Sequence, residues 1–141
     1  MNNLEKLEAV KKYYDRMIGA EERFYECKSK AERSTMAIQE TSRKGNSKGW
    51  RETAMIQIIE ARDKYAYAVI AYTEALKEAH DILDKIDDPQ IYGILHHRYI
   101  LFKTWKQIAA DMGCSYRICM MLHKKAAIKI KKPCNIQITG L

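Results

Sequence analysis

The pattern of apolar and polar residues predicts two long helices in the first part of the chain. Residues 4 to 42 contain no proline, and apolar residues recur every seven positions at Val10, Met17, Phe24, Ala31 and Ile38. Residues 50 to 86 repeat apolar positions in two registers. One is Ile58, Tyr65, Tyr72, Ala79 and Ile86, and the other is Met55, Arg62, Val69, Leu76 and Leu83, in which only Arg62 is not apolar. Such spacing is typical of helices that pack along one face. We expect an antiparallel, coiled-coil-like helical hairpin.

Helices of this length have more apolar surface than a short C-terminal unit can cover. At 1.5 Å per residue each would reach about 55 Å. The surplus includes five tyrosines, Tyr13, Tyr14, Tyr65, Tyr67 and Tyr72. Uncovered apolar surface favours self-association. We therefore expect a homodimer in which residues 1–88 form the scaffold and oligomerisation part.

The segment that joins the two helices, residues 43 to 49, reads RKGNSKG. Its glycines, Asn and Ser predict a loop. Two interpretations stay open for this loop. It is a solvated turn, or it contacts DNA or a polymerase through the basic side chains of Arg43, Lys44, Lys48 and Arg51.

Asp88 and Pro89 mark the predicted boundary of the scaffold. Proline fixes φ at a first helical position, and the Asp88 carboxylate can cap the helix that follows. That helix is expected to run from Gln90 to Phe102. Its inward residues are predicted to be Ile91, Ile94, Leu95, Tyr99 and Phe102, with Leu101 as a further candidate.

Two shorter helices follow with a tight connection. Thr104 is a suitable N-cap for a helix with apolar residues at Trp105, Ile108, Ala109 and Met112, and Gly113 can end it at positive φ. Ser115 then caps a second helix, whose inward residues are predicted to be Cys119, Leu122, Ala126, Ala127 and Ile130. The connection predicts a helix-turn-helix. The all-α fold thus ends in a three-helix unit, residues 89–132, with a flexible tail at 133–141.

The positive charge of the chain is concentrated in this second part. The chain carries 25 Lys and Arg against 18 Asp and Glu, a net charge of +7. Residues 89 to 141 hold nine basic residues and one acid, Asp111, which gives 9 − 1 = +8, whereas residues 1 to 88 give 16 − 17 = −1. One-sided basic charge is typical of a surface that binds phosphates.

No motif points to catalysis, a cofactor or a membrane. The chain has no glycine-rich phosphate loop, no nucleophile elbow and no H-E-x-x-H motif, so we expect no enzyme and no cofactor. Cys114, Cys119 and His123 form a weak metal candidate, and core packing is the preferred interpretation. The N-terminus lacks the apolar run of a signal peptide, and no stretch is long enough to cross a membrane, so we expect a cytoplasmic protein.

The C-terminal motifs also resemble a known family. The order Arg98-Tyr99, Trp105 to Ala109, Met112 to Ser115 and Ala126-Ala127 is similar to the fourth conserved region of sigma factors. More narrowly, it resembles small phage late-transcription regulators of the RinA and ArpU kind. The resemblance implies a helix-turn-helix that binds double-stranded DNA, with RNA polymerase as a possible partner. Gln107 stands where the family usually has Glu, and Met120 and Met121 replace polar residues.

These observations predict a sequence-specific DNA-binding transcriptional regulator, and the resemblance implies that it is encoded by a phage or prophage. Base contacts are expected from the second helix of the motif, at Tyr116, Arg117, Met120, Met121, Lys124 and Lys125. Phosphate contacts are expected from Lys103, Thr104, Lys106, Ser115 and Lys129. Two rivals remain: a small terminase subunit, which would form a ring of many copies, and a sigma-like module that binds polymerase without touching DNA.

Overall fold

The computed structural model describes residues 2–41 and 47–131, and the regular secondary structure among them is helical, with no strand. Two long helices come first, α1 at Asn3–Thr41 and α2 at Ser47–Leu83. Three shorter ones follow, α3 at Pro89–Leu95, α4 at Trp105–Met112 and α5 at Tyr116–Ile130. The predicted all-α class and the long N-terminal helix pair are confirmed. None of the helices in these ranges is long and apolar enough to span a membrane.

Two compact units divide the chain, and their limits differ from the predicted boundary at Asp88. One unit combines the residues up to Tyr13 with those from Tyr72 onward, and the other comprises Tyr14–Ala71. Asp88 does cap α3 as expected, because its Oδ1 accepts from the backbone N–H of Gln90 at 2.9 Å. The first turns of α1 and the end of α2 nevertheless pack with the three short helices. The basic part of the chain therefore includes segments of the long helices in its core.

The core of the first unit consists of two clusters of buried side chains. The larger one joins the start of α1 and the end of α2 to α3 and α5, through Leu7, Val10, Leu83, Ile91, Leu95, Ala126, Ala127 and Ile130. The smaller one joins α3, α4 and α5 through Ile94, Ile108 and Cys119. Helix α5 contributes to both clusters. Its position is therefore fixed along most of its length.

In the second unit α1 and α2 contact each other through aromatic side chains. The Tyr65 hydroxyl donates to Oε2 of Glu21 at 2.8 Å, and the rings of Phe24 and Tyr65 stack with centroids 6.2 Å apart. Ala61 is buried beside them. The predicted register through Ile58 and Tyr65 is thus the inward one. The loop expected at residues 43–49 falls partly on residues outside the described ranges, and its last part, from Ser47, belongs to α2. The antiparallel hairpin stays a prediction.

The third helix differs from the expected continuous helix to Phe102. Helix α3 ends at Leu95, and a π-helical turn, His96–Ile100, follows it. A hydrogen bond from the backbone N–H of Leu101 to the carbonyl oxygen of His96, 3.1 Å long, closes this turn. Phe102 then adopts a positive φ of 57°, a left-handed conformation that does not continue the helix. Leu101 was a candidate for the core, and that is wrong, since its side chain is 47% exposed.

The conformation of Gly113 yields a prediction about stability. Gly113 has φ 68° at the end of α4, where a Cβ is strained, whereas Gly19 lies inside α1 with open space around it. We expect Gly113→Ala to lower the free energy of unfolding by about 1 kcal/mol. Gly19→Ala should raise it by up to about 1 kcal/mol, because alanine favours helix. Urea unfolding followed by circular dichroism measures both. Equal effects of the two substitutions would contradict this assignment.

Candidate nucleic-acid interface

The first helix of the predicted helix-turn-helix, α4, begins with a reciprocal cap. The Thr104 hydroxyl accepts from the backbone N–H of Gln107 at 3.3 Å, and the Gln107 side-chain oxygen accepts from the backbone N–H of Thr104 at 3.0 Å. This capping box satisfies two backbone donors that would otherwise lack partners. Gln107 therefore performs the reciprocal capping role at the third position of the helix. Gly113 ends α4 in the left-handed conformation, as predicted.

The turn between α4 and α5 is short and tied to α5 by two side chains. The Ser115 hydroxyl accepts from the backbone N–H of Ile118 at 3.2 Å and so caps α5. The Sγ atoms of Cys114 and Cys119 lie 2.8 Å apart, which joins the turn to the first part of the helix. Burial, followed by the hydrogen bond from Cys114, raises the pKa of the Cys119 thiol to about 11. Cys119 is therefore a neutral packing residue at physiological pH.

One face of α5 packs into the core of its unit. Cys119, Ala126, Ala127 and Ile130 are buried, and Leu122 is half-buried. The inward residues predicted for this helix are thus confirmed. Small side chains dominate this face, which lets α5 approach the other helices closely. Apart from His123, which is half-buried, the remaining side chains of α5 face solvent.

The exposed part of α5 contains every residue that was predicted to read bases. Tyr116, Arg117, Met120, Met121, Lys124 and Lys125 are all exposed. Two further residues join them, Ile118 and Ile128, and the side chain of Ile128 is 62% exposed. Sequence reasoning missed this isoleucine pair because isoleucine usually marks the inward face of a helix. No acid lies on α5.

The residues predicted to contact phosphates lie in two environments. Thr104, Lys106, Ser115 and Lys129 are exposed, although the two hydroxyls also cap helices. Lys103 is half-buried, and its Nζ lies 2.6 Å from Oδ2 of Asp111. The hydrogen bond from Lys103 lowers the pKa of the Asp111 carboxyl. Asp111 is the one acid after residue 88. Its ion pair with Lys103 therefore offsets the one negative charge of this part of the chain.

An aromatic and basic cluster connects the π-helical turn to α4 and α5. The Arg98 guanidinium lies 4.8 Å from the Trp105 ring centroid and donates to the carbonyl oxygen of Lys103 at 3.1 Å. Trp105 meets the His123 ring edge to face at 4.8 Å. Oη of Tyr99 lies 2.6 Å from Nε2 of His123. Arg98 and Tyr99 therefore both have structural roles in this unit.

Burial sets the protonation states in this cluster. It raises the pKa of Tyr99 to about 12, so the phenol stays protonated. Burial, together with the nearby charge of Arg98, lowers the pKa of His123. At neutral pH the Tyr99 hydroxyl can therefore donate to a neutral imidazole. The weak metal candidate gains no support, since residues 2–41 and 47–131 contain no cluster of three or more His, Cys, Asp or Glu suited to a metal.

The lowered pKa of His123 makes stability depend on pH. Below about pH 6.5 the unfolded chain binds a proton at this histidine more readily than the folded chain does. The free energy of unfolding should therefore fall as pH drops below that value. We expect His123→Gln to reduce this fall, and urea unfolding at pH about 7.5 and about 5.5 measures it. His96, whose pKa is also lowered by burial, contributes equally to both proteins. An unchanged fall in the variant would contradict the assignment.

Comparison with known protein families, with curated proteins and with solved structures finds no match for this chain.

Proposed function

We propose that the protein is a sequence-specific, double-stranded DNA-binding transcriptional regulator that reads the major groove with α5. The observation that supports this most is the division of α5 into two faces. One face is buried in the core, while the other presents Arg117, Lys124, Lys125 and Lys129 without an acid. A rigid helix with an exposed basic face is the usual major-groove reader of a helix-turn-helix protein.

The dimensions and side chains of α5 suit base contacts. Its 15 residues span about 22 Å, and the major groove, about 12 Å wide, admits one helix. In this proposal Arg117, in the first turn, makes a bidentate contact with guanine. Tyr116, Met120 and Met121 contact thymine methyl groups, and Lys124 and Lys125 reach bases or phosphates further along.

Backbone contacts would come from α4 and from the ends of α5. Lys106 is exposed in the first turn of α4, and Lys129 is exposed in the last turn of α5. The capping hydroxyls of Thr104 and Ser115 still have a proton to donate to a phosphate. Lys103 would have to exchange Asp111 for a phosphate. These contacts would fix the orientation of α5 and carry no sequence information.

The resemblance to sigma region 4 and to phage regulators of the RinA and ArpU kind narrows the proposal. It favours a phage or prophage late-transcription regulator, with RNA polymerase as a further partner. A dimer would place two copies of α5 on one duplex, at half-sites about one helical turn apart. The reciprocal cap of α4 and the positive φ of Gly113 are consistent with this resemblance.

The exposed apolar residues of α5 favour a second candidate function. Ile118, Met120, Met121 and Ile128 are exposed on the same helix. Apolar side chains of this size are typical of protein contact surfaces. In the second candidate α5 binds RNA polymerase or a sigma factor and the protein does not touch DNA.

Selection from random duplex DNA separates these candidates. The full chain would be incubated with a randomised duplex library at near-physiological salt, and the bound fragments would be sequenced. A regulator should enrich a discrete motif, with an affinity that falls steeply as salt increases. Failure to bind any duplex even at low salt would reject DNA binding. Direct binding to purified polymerase would then support the second candidate.

Two substitutions test the roles within the proposed interface. Arg117→Ala should cost about 1 to 3 kcal/mol on the selected site and little on random DNA, because it removes a base contact. Lys106→Ala should weaken both DNAs alike and reduce the salt slope by about one, because it removes a phosphate contact. Lys64→Ala is the control, since it removes an exposed charge from α2. Fluorescence anisotropy titrations at several salt concentrations measure all three.

Equal losses on specific and random DNA for both interface variants would contradict these roles. An effect of Lys64→Ala as large as that of Lys106→Ala would mean that net charge alone governs binding.

A further inference from the structure

The outward face of α2 in the second unit carries several exposed apolar side chains. The side chains of Ile56, Ile59, Tyr67 and Ile70 are exposed, Ile56 at 55% and Tyr67 at 74%. These residues follow the helical spacing of three, eight and three, with Ala66 exposed among them. They therefore form one stripe, about 21 Å long from Ile56 to Ile70. Exposed apolar stripes of this kind are typical of interaction surfaces.

This stripe is separate from the face of α2 that contacts α1. The inward face carries Ile58, Ala61 and Tyr65, of which Ala61 is buried and Tyr65 bonds to Glu21. Residues two or five positions away from Ile56 lie on the opposite side of a helix. A helix that is apolar on two sides needs a partner on each. Helix α1 covers the first side.

The stripe is nearly symmetrical about Asp63. Ile56 and Ile70 lie seven residues before and after it, and Ile59 and Tyr67 lie four residues before and after it. A symmetric dimer needs a surface that is complementary to itself, in which residue i contacts j and j contacts i. An antiparallel copy of α2 with its two-fold axis at Asp63 meets this condition. Ile56 of each copy then faces Ile70 of the other.

The flanks of the stripe favour antiparallel over parallel pairing. Ile59 and Ala66 lie on one flank, and Glu60 and Tyr67 lie on the other. An antiparallel two-fold places Ile59 against Ala66 of the second copy, and it places the Tyr67 hydroxyl near the Glu60 carboxylate. A parallel two-fold would instead place Ile59 against Glu60. The antiparallel arrangement thus groups apolar atoms together and gives the tyrosine hydroxyl an acceptor.

We propose that this stripe binds a second copy of the chain through an antiparallel, two-fold contact between α2 helices. The two Asp63 carboxylates lie near the axis, and Arg62, whose guanidinium is 3.7 Å from Asp63 Oδ1, offsets their repulsion. At each end, the same symmetry places Glu52 of one copy opposite Glu74 of the other, with Lys77 of that copy about one turn further along. This charged rim limits the contact to the apolar segment.

The inference does not rest on DNA binding, because the contact uses none of the residues assigned to DNA. Its failure and the failure of the proposed function are therefore distinguishable. A monomer that binds specific DNA would reject the dimer alone. A dimer that binds no DNA would reject the regulator alone.

The oligomeric state of the full chain without DNA gives the first test. Sedimentation equilibrium should show monomer and dimer in equilibrium, with a dimer fraction that increases with protein concentration. We expect Ile56→Glu to raise the dissociation constant by at least about tenfold, because it places a charge against Ile70 of the second copy. Tyr25→Glu, at a residue of α1 that is 54% exposed, is the matched control and should leave the constant unchanged.

Cysteine cross-linking gives the second test and determines the direction of pairing. A mixture of the Ile56→Cys and Ile70→Cys proteins should form a disulfide-linked dimer under mild oxidation. Its yield should exceed that of the wild type, which has only the native cysteines. Neither variant alone should give more cross-linked dimer than the wild type. Self-cross-linking of Ile56→Cys alone would overturn the antiparallel arrangement. A strictly monomeric wild type, or an unaltered dimer in Ile56→Glu, would overturn the proposal.

Discussion

The burial of one face of α5 is the constraint on which the first unit, and the interface proposed on it, depends. Cys119 enters one core cluster, and Ala126, Ala127 and Ile130 enter the other. Because both clusters hold the same helix, α5 cannot turn about its axis without exposing core residues. The basic residues on its other face therefore have a fixed orientation relative to the rest of the unit. The capped ends at Ser115 and Gly113 set where this face begins.

Local signals in the sequence predicted this part of the fold well, because caps and glycines act over a few residues. Thr104, Gly113 and Ser115 all have the roles that their residue types predicted. The π-helical turn at His96–Ile100 was not predictable in this way. Residues of this turn make contacts with other elements, such as that of Arg98 with Trp105, and the spacing of apolar residues does not reveal such contacts. The two compact units escaped prediction for the same reason, since they follow tertiary contacts across the boundary at Asp88.

Helix α2 shows why a periodic pattern alone leaves function open. Its two apolar registers were both consistent with packing in a helical hairpin, and both end in buried residues, at Leu83 and Ile86. In the second unit, Ile58 and Tyr65 of one register are half-buried, and Ala61 is buried on the same side of the helix. Met55 and Arg62, which belong to the other register, are exposed. Exposure, rather than periodicity, reveals the second face. The same holds for Ile118 and Ile128 on α5, which make that helix both a candidate DNA reader and a candidate protein surface.

Amide chemical-shift mapping on the full chain with a selected duplex tests the central claim most directly, because it reports which residues meet DNA. The account predicts shifts at residues 103–106 and in the first three turns of α5, from Tyr116 to Lys125. Amide shifts of residues on the outward face of α2, such as Tyr67, should change only by the amount that dimer formation causes. A titration of protein concentration without DNA measures that amount separately. Shifts confined to α1 or α2, or no shifts at all, would contradict it.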